Sequence, residues 1–249
     1  MMPRDSPVND SELTMEQLKP PMPVHVRDMA NFARLALGLT EGSQMIWSFK
    51  HNSKSVLGFF SAYMYWDGDI PILAYTEADF DTTKPFLAYK SDSPKGEEWQ
   101  FSDEADDSRF RYASIIDVKN LPGAFVKSIE GDFPDAPEPV LTELQDTKSL
   151  ARALLTLSMR DGNVFPLWHF RRGEKHVLGN CIPFEHYYDS DALPVFFYTT
   201  SNAPPSGPFL KYLAAKPFGE KLEFTNAAVD AKYFYTKIID VVDFPLFPK

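Results

Sequence analysis

The sequence predicts an α+β protein made by tandem duplication, each unit of roughly 115–120 residues carrying one helix packed on a mostly antiparallel sheet or partial barrel. Three observations predict it. Residues 71–122 recur without a gap as residues 194–245, with about 19 of the 52 aligned positions identical. The matches include Tyr75-Thr76/Tyr198-Thr199, Phe86-Leu87/Phe209-Leu210, Gly96-Glu97/Gly219-Glu220 and Ile115-Ile116-Asp117-Val118/Ile238-Ile239-Asp240-Val241. Each copy also holds one segment of helical period, and each then turns to short apolar and aromatic runs bounded by turn residues.

Taken in order, residues 1–20 read as a flexible polar arm ending at Pro20-Pro21. Unit one spans 21–130 and unit two 140–249, and the linker between them, 131–139, is rich in proline and therefore extended. The first helix places Met29, Phe32, Ala33, Leu35, Ala36 and Leu39 on its apolar positions, and its partner uses Leu144, Leu150, Ala151, Leu154, Leu155 and Leu157. Gly42 and Gly162 suit the left-handed residue that ends a helix. Strands are expected at 45–50, 56–65, 71–76, 86–89, 97–101 and 110–118, with counterparts at 164–171, 177–187, 194–199, 209–212, 220–224 and 233–241.

Bulk properties narrow the function. The net charge of −10 disfavours nucleic acid, whose phosphates require clustered Lys and Arg. The acidic excess sits in residues 1–136, which hold 22 Asp+Glu against 13 Lys+Arg, whereas residues 137–249 are nearly balanced. The single cysteine, Cys181, permits no intrachain disulfide and reads as an inert buried thiol. No apolar run reaches the length of a membrane helix, and the first ten residues lack a secretory leader's apolar core, so a cytoplasmic location is expected. Motifs for a phosphate loop, a nucleophile elbow, His-Glu-x-x-His or Cys-x-x-Cys are missing, and no cofactor is implied.

A duplicated chain allows one copy to be compared with the other. Shared residues such as Trp47/Trp168, Gly58/Gly179, Tyr89/Tyr212 and Tyr112/Tyr235 are of the scaffold type. Asp117 and Asp240 lie in apolar strands and read as hydrogen-bonded structural carboxylates rather than a catalytic pair. The private residues are sharper. A two-residue turn at Arg172-Gly173 would set His169 opposite His176, where copy one has Ser48 and Ser55. Facing imidazoles bind a transition metal or relay a proton, or they simply line a solvated hairpin. Glu185 and His186 form a second candidate acid/base pair. Arg171, Arg172 and Lys175 form the basic cluster, suited to an anion or to the acidic first copy. Asp103, Glu104, Asp106 and Asp107 crowd oxygens that suit a cation, without the spacing of a calcium loop.

The expected function is a non-enzymatic pseudo-dimeric binding protein. Its protein or small-molecule partner would sit at the seam between the copies. Two alternatives stand beside it: a metal-binding protein or enzyme using the histidine hairpin, and a structural subunit of an assembly, a homo-oligomer included.

Overall fold

The duplication is visible in the order of the strands. The computed structural model describes residues 22–38, 44–63, 70–78, 84–93, 96–119, 129–130, 140–161, 166–184, 193–214, 217 and 219–242. The arm at 1–20 and the linker at 131–139 lie outside the described residues. Copy one contributes β1 (Met22–His25), α1 (Met29–Gly38), β2 (Gln44–His51), β3 (Lys54–Tyr63), β4 (Ile70–Ala78), β5 (Phe86–Ser93), β6 (Gly96–Ser102) and β7 (Arg111–Asp117). Copy two contributes β8 (Val140–Glu143), α2 (Thr147–Asp161), β9 (Leu167–Arg172), β10 (Lys175–Phe184), β11 (Leu193–Ser201), β12 (Phe209–Leu213), β13 (Lys221–Thr225) and β14 (Phe234–Asp240). The sheets run β1-β4-β3-β2-β7-β5-β6 and β8-β11-β10-β9-β14-β12-β13, which is the same order twice. Among the described residues no helix is long and apolar enough to cross a membrane.

The expected α+β class is corrected by this architecture. The protein is mostly β, two open seven-stranded sheets with only two helices among the described residues. Neither sheet closes into a partial barrel, and each is mixed, since β1 runs parallel to β4, β2 to β7, β8 to β11 and β9 to β14. The sequence hides this because β1 and β8 have four residues each, too few for an alternation to register. Nor does each helix simply cover its own sheet.

Both helices start at an aspartate whose carboxylate accepts a free first-turn N–H. Asp28 Oδ1 takes the Asn31 amide at 2.8 Å and Asp146 Oδ1 the Ser149 amide at 2.7 Å. From there the two diverge. Helix α2 is one-sided: Leu150, Ala151, Leu154 and Leu155 pack on Leu167, Leu178, Leu210 and Ile238 of the second sheet, while Lys148 and Arg152 are exposed. Helix α1 is buried all round, including the polar Asn31 and Arg34. A helix apolar on every side belongs inside a core. Its residues share one cluster with Leu57, Phe59 and Ala74 of the first sheet and with Trp168, Phe170, Val177 and Phe196 of the second.

The layers therefore run α2, second sheet, α1, first sheet. Strand alternation makes this possible, because Leu167, Leu178 and Ile238 face α2 whereas Trp168, Val177 and Ile239 face α1. The far face of the first sheet carries Phe49, Val56, Leu73 and Tyr75, backed by Val118 and Ile129. The copies thus meet through non-equivalent surfaces, the helix side of one against the bare sheet side of the other.

The glycines opposite the paired tryptophans (Trp47↔Gly58, Trp168↔Gly179) show how much tighter the inner sheet is. A Cβ added at Gly179 would lie 2.7 Å from Phe196 Cε1 and 2.8 Å from the Phe197 carbonyl oxygen, whereas at Gly58 its nearest neighbour is the flexible Leu73 Cδ1 at 3.2 Å. Gly179→Ala is expected to lower the unfolding free energy by about 1–3 kcal/mol, the usual range for overpacking, and Gly58→Ala by clearly less. Paired urea titrations measure the difference, and equal losses would refute it.

Candidate functional site

Strand β14 has an edge that β12 leaves uncovered, and copy one covers it. An unpaired sheet edge must find partners for its N–H and C=O groups. Here the Ile238 carbonyl accepts from Arg34 Nη1 at 2.7 Å, and the Asp240 amide donates to Asn31 Oδ1 at 3.0 Å. The Asp240 carbonyl accepts from the Arg27 amide at 3.0 Å, and the Val242 amide donates to the His25 carbonyl at 2.9 Å. A backbone bridge between Val26 and Val241 completes the join.

Arg34 anchors this seam. Its Nε and Nη2 donate to the two Glu97 oxygens at 2.8 and 2.7 Å, and Nη1 also donates to Asn31 Oδ1 at 2.7 Å. Tyr89 Oη donates to Glu97 at 2.5 Å, and burial, reinforced by the Glu97 charge, pushes that phenol far above its usual range. Copy two repeats the trio as Arg152, Glu220 and Tyr212, with Lys148 added to it. There Arg152, Lys148 and Glu220 are exposed over a buried Tyr212, and the Arg152, Lys148 and Tyr212 hydrogen bonds hold the Glu220 carboxyl far below its usual range. In the sequence Tyr89 reads as scaffold, and neither Arg34 nor Glu97 is marked by a motif. The signal that could have found the trio was Arg34 standing where α1 is otherwise almost wholly apolar, matched by Arg152.

Beside the seam lies the private histidine pair. The hairpin register differs from the expected one by a shift at the turn: Gly173-Glu174 form the turn, with Gly173 at φ +61°, and Arg172 pairs with Lys175. Glycine accepts that left-handed backbone without strain. His169 consequently lies opposite Leu178, and His176 opposite Arg171. The two histidines are diagonal neighbours on one face, a separation that long side chains still bridge. Their rings stack with centroids 5.2 Å apart and 19° between planes, and His169 Nε2 lies 3.0 Å from His176 Nδ1.

Asp240 completes the row. It is the register partner of His169 on the parallel strand β14, and its Oδ1 hydrogen-bonds His169 Nδ1. Arg27 from copy one stands 3.8 Å from its other oxygen. The order across the sheet is Arg27, Asp240, His169, His176, and Arg171 stands on β9 as the register partner of His176. His169 is buried and His176 half-buried. Burial pulls the His176 ring toward the neutral form, and the nearby His169 and Arg171 add to that. For Asp240 burial works toward protonation, yet the His169 hydrogen bond and the Arg27 and Arg34 charges outweigh it and leave the carboxyl below its usual range.

The Asp240 charge constrains the hydrogen position on His169 Nδ1. An ionised Asp240 accepts only, so His169 Nδ1 carries a proton, and a neutral His169 then offers a lone pair at Nε2. In that arrangement His176, through Nδ1, is the donor across the 3.0 Å contact. Its Nε2, left as a lone pair, has no recorded partner among the described residues. Copy one has the matching carboxylate, Asp117, but Ser48 and Ser55 in place of the imidazoles, and Lys50 Nζ donates to Ser55 Oγ. Asp117 and Asp240 lie in different sheets.

The remaining candidates fall elsewhere. Arg171, Arg172 and Lys175 are exposed around the hairpin tip. Glu185 and His186 lie outside the described residues. The acidic loop is partly neutralised: Lys84 Nζ is 3.3 Å from Asp103, and Arg109 clasps Asp107 at 2.7 Å, its hydrogen bonds holding that carboxyl at about 2. Glu104 is tied through its backbone to Ser102 Oγ, and Asp106 is exposed. Among the described residues no three His, Cys, Asp or Glu side chains are grouped to hold a metal ion. Compared with known protein families, curated proteins and solved structures, the chain has no match.

Proposed function

We propose that the protein is a non-enzymatic binding protein whose partner site lies at the seam, on the surface where Arg27, Asp240, His169 and His176 form one row beside Arg171. The observation that carries this reading is that residues private to copy two are held in place by residues of copy one. Asn31 and Arg27 fix the strand end that carries Asp240, and Asp240 fixes His169. A site of this kind exists only when the copies are joined. Its exposed part carries Arg171, a cation for which no ion pair is recorded among the described residues, and this favours a partner of negative charge.

The test is proximity labelling in the native host, with the labelled sites mapped by mass spectrometry. A partner whose labelling falls in Arg171→Glu and His176→Ala, but survives Lys50→Glu at the equivalent place in copy one, supports the reading. Labelling unaffected by the hairpin substitutions overturns it. Stoichiometric zinc, nickel or iron in the purified chain, lost in His169→Ala/His176→Ala, would overturn it in favour of a metal protein.

A further inference from the structure

We infer that the two imidazoles form a proton wire ending in a carboxylate-binding position at His176 Nε2 and Arg171, so that an acidic polypeptide binds together with a proton. This rests on the seam-binding reading and specifies the ligand's chemistry. The geometry is the starting point. One buried imidazole lies between a carboxylate and a second imidazole, and all of its ring hydrogen-bonding capacity is used. The second imidazole has one nitrogen committed inward and one with no recorded partner, on a half-buried ring. Its register partner on β9 is Arg171, and facing side chains of paired residues have Cβ atoms about 5 Å apart. A planar guanidinium and an N–H at that separation match the two oxygens of a carboxylate.

The outer nitrogen starts as an acceptor, which repels a carboxylate. A proton taken from solvent at His176 Nε2 changes that. The Nδ1 proton of His176 passes across the 3.0 Å contact to His169 Nε2, and His169 becomes an imidazolium whose Nδ1–H stays bonded to Asp240. One proton enters and none leaves. His176 ends neutral with Nε2–H pointing outward as a donor, and the positive charge rests on His169 beside Asp240. The wire therefore changes the outward hydrogen-bonding sign of His176 without charging it, which agrees with an environment that disfavours a charged His176.

The charged groups around the pair are Asp240 on β14, Arg27 and Arg34 from copy one, Arg171 and Arg172 on β9, Glu174 in the turn and Lys175 on β10. On the other side β11 presents Thr199 and Ser201, which do not titrate. Among the described residues Asp240 is the carboxylate held against the wire, so substituting it addresses the charge acceptor directly. Copy one, with serines at both positions, provides a built-in reference lacking the device.

Two measurements on the full chain test this. The first is nitrogen NMR of the histidine side chains between pH 8 and pH 5. His176 should change from the Nδ1–H to the Nε2–H neutral tautomer as His169 gains its second proton, and Asp240→Asn should abolish the exchange. A His176 that becomes a doubly protonated imidazolium, or keeps its tautomer throughout, overturns the wire. The second is titration with a triglutamate peptide, with sulfate as a comparison because its charge is constant over this range. The peptide should bind roughly tenfold tighter at pH 5.5 than at pH 8, within the usual span of coupled binding. His176→Gln should remove most of that ratio, and Arg171→Ala should weaken binding at both pH values. Peptide binding that depends on Arg171 but not on pH would leave the seam site standing and sink the wire. Sulfate binding without peptide binding would reject the carboxylate assignment.

Discussion

Arg34→Ala should destabilise the protein by about 3–5 kcal/mol, the range for removing one partner of a buried ion pair. Four acceptors lose a donor at once: both oxygens of Glu97, the Ile238 carbonyl, and Asn31 Oδ1, which keeps the Asp240 amide. Glu97 would retain Tyr89 but would be a half-buried carboxylate without its cation. The loss is also positional, because Arg34 is one of the groups that join copy one to the edge of β14. Arg152→Ala is the internal control, since it removes the same guanidinium from the same kind of trio where its ion pair is exposed. An exposed pair is worth little. Urea denaturation should therefore show a large shift for Arg34→Ala and a small one for Arg152→Ala, and comparable shifts would mean that burial at the seam is not what gives Arg34 its effect.

Trp168→Ala should destabilise by a similar amount, about 3–5 kcal/mol for a large buried aromatic. Its ring lies in the layer shared by α1 and both sheets, and the side chain is 3% exposed. The residue at the same place in copy one, Trp47, is only half-buried on the outer face of the first sheet, so Trp47→Ala should be milder. Because Trp168 helps fill the space between the copies, its loss should also loosen their union. Hydrogen exchange of the β14 amides should accelerate in Trp168→Ala beyond what global destabilisation explains, and in Trp47→Ala it should not.

Much of the strand layout was legible in the sequence. The gap-free repeat carries β4 through β7 onto β11 through β14 in register, and the runs expected at 56–65 and 177–187 overlap β3 and β10 over their described residues. The class was not legible, for reasons that particular residues make plain. Met22–His25 and Val140–Glu143 each pair parallel to a strand some fifty residues on, a non-local contact that four residues cannot advertise. The burial of α1 was present but unread: Ala30 and Leu35 stand where α2 has Lys148 and Ala153, and this difference separates a helix covered on both sides from one covered on a single side. In the hairpin the residue types were legible and the register was not, because Arg172-Gly173 and Gly173-Glu174 are both plausible two-residue turns. Asp240 was seen as a hydrogen-bonding carboxylate, but its partner depends on the parallel pairing of β14 with β9, which no local pattern contains.

The contact between non-equivalent faces has a consequence for growth. The movement that carries copy one onto copy two is not its own inverse, so repeating it would lay a third sheet on α2, then a fourth. Separate units joined in this way would lengthen into a filament instead of closing as a pair. In this chain the series ends in charge. Lys148 replaces Ala30, and the Arg152–Glu220 pair that would be sealed under another layer is left in water. Helix α2 thus presents charge at Lys148 and Arg152, as the polar outer face of a capping unit does.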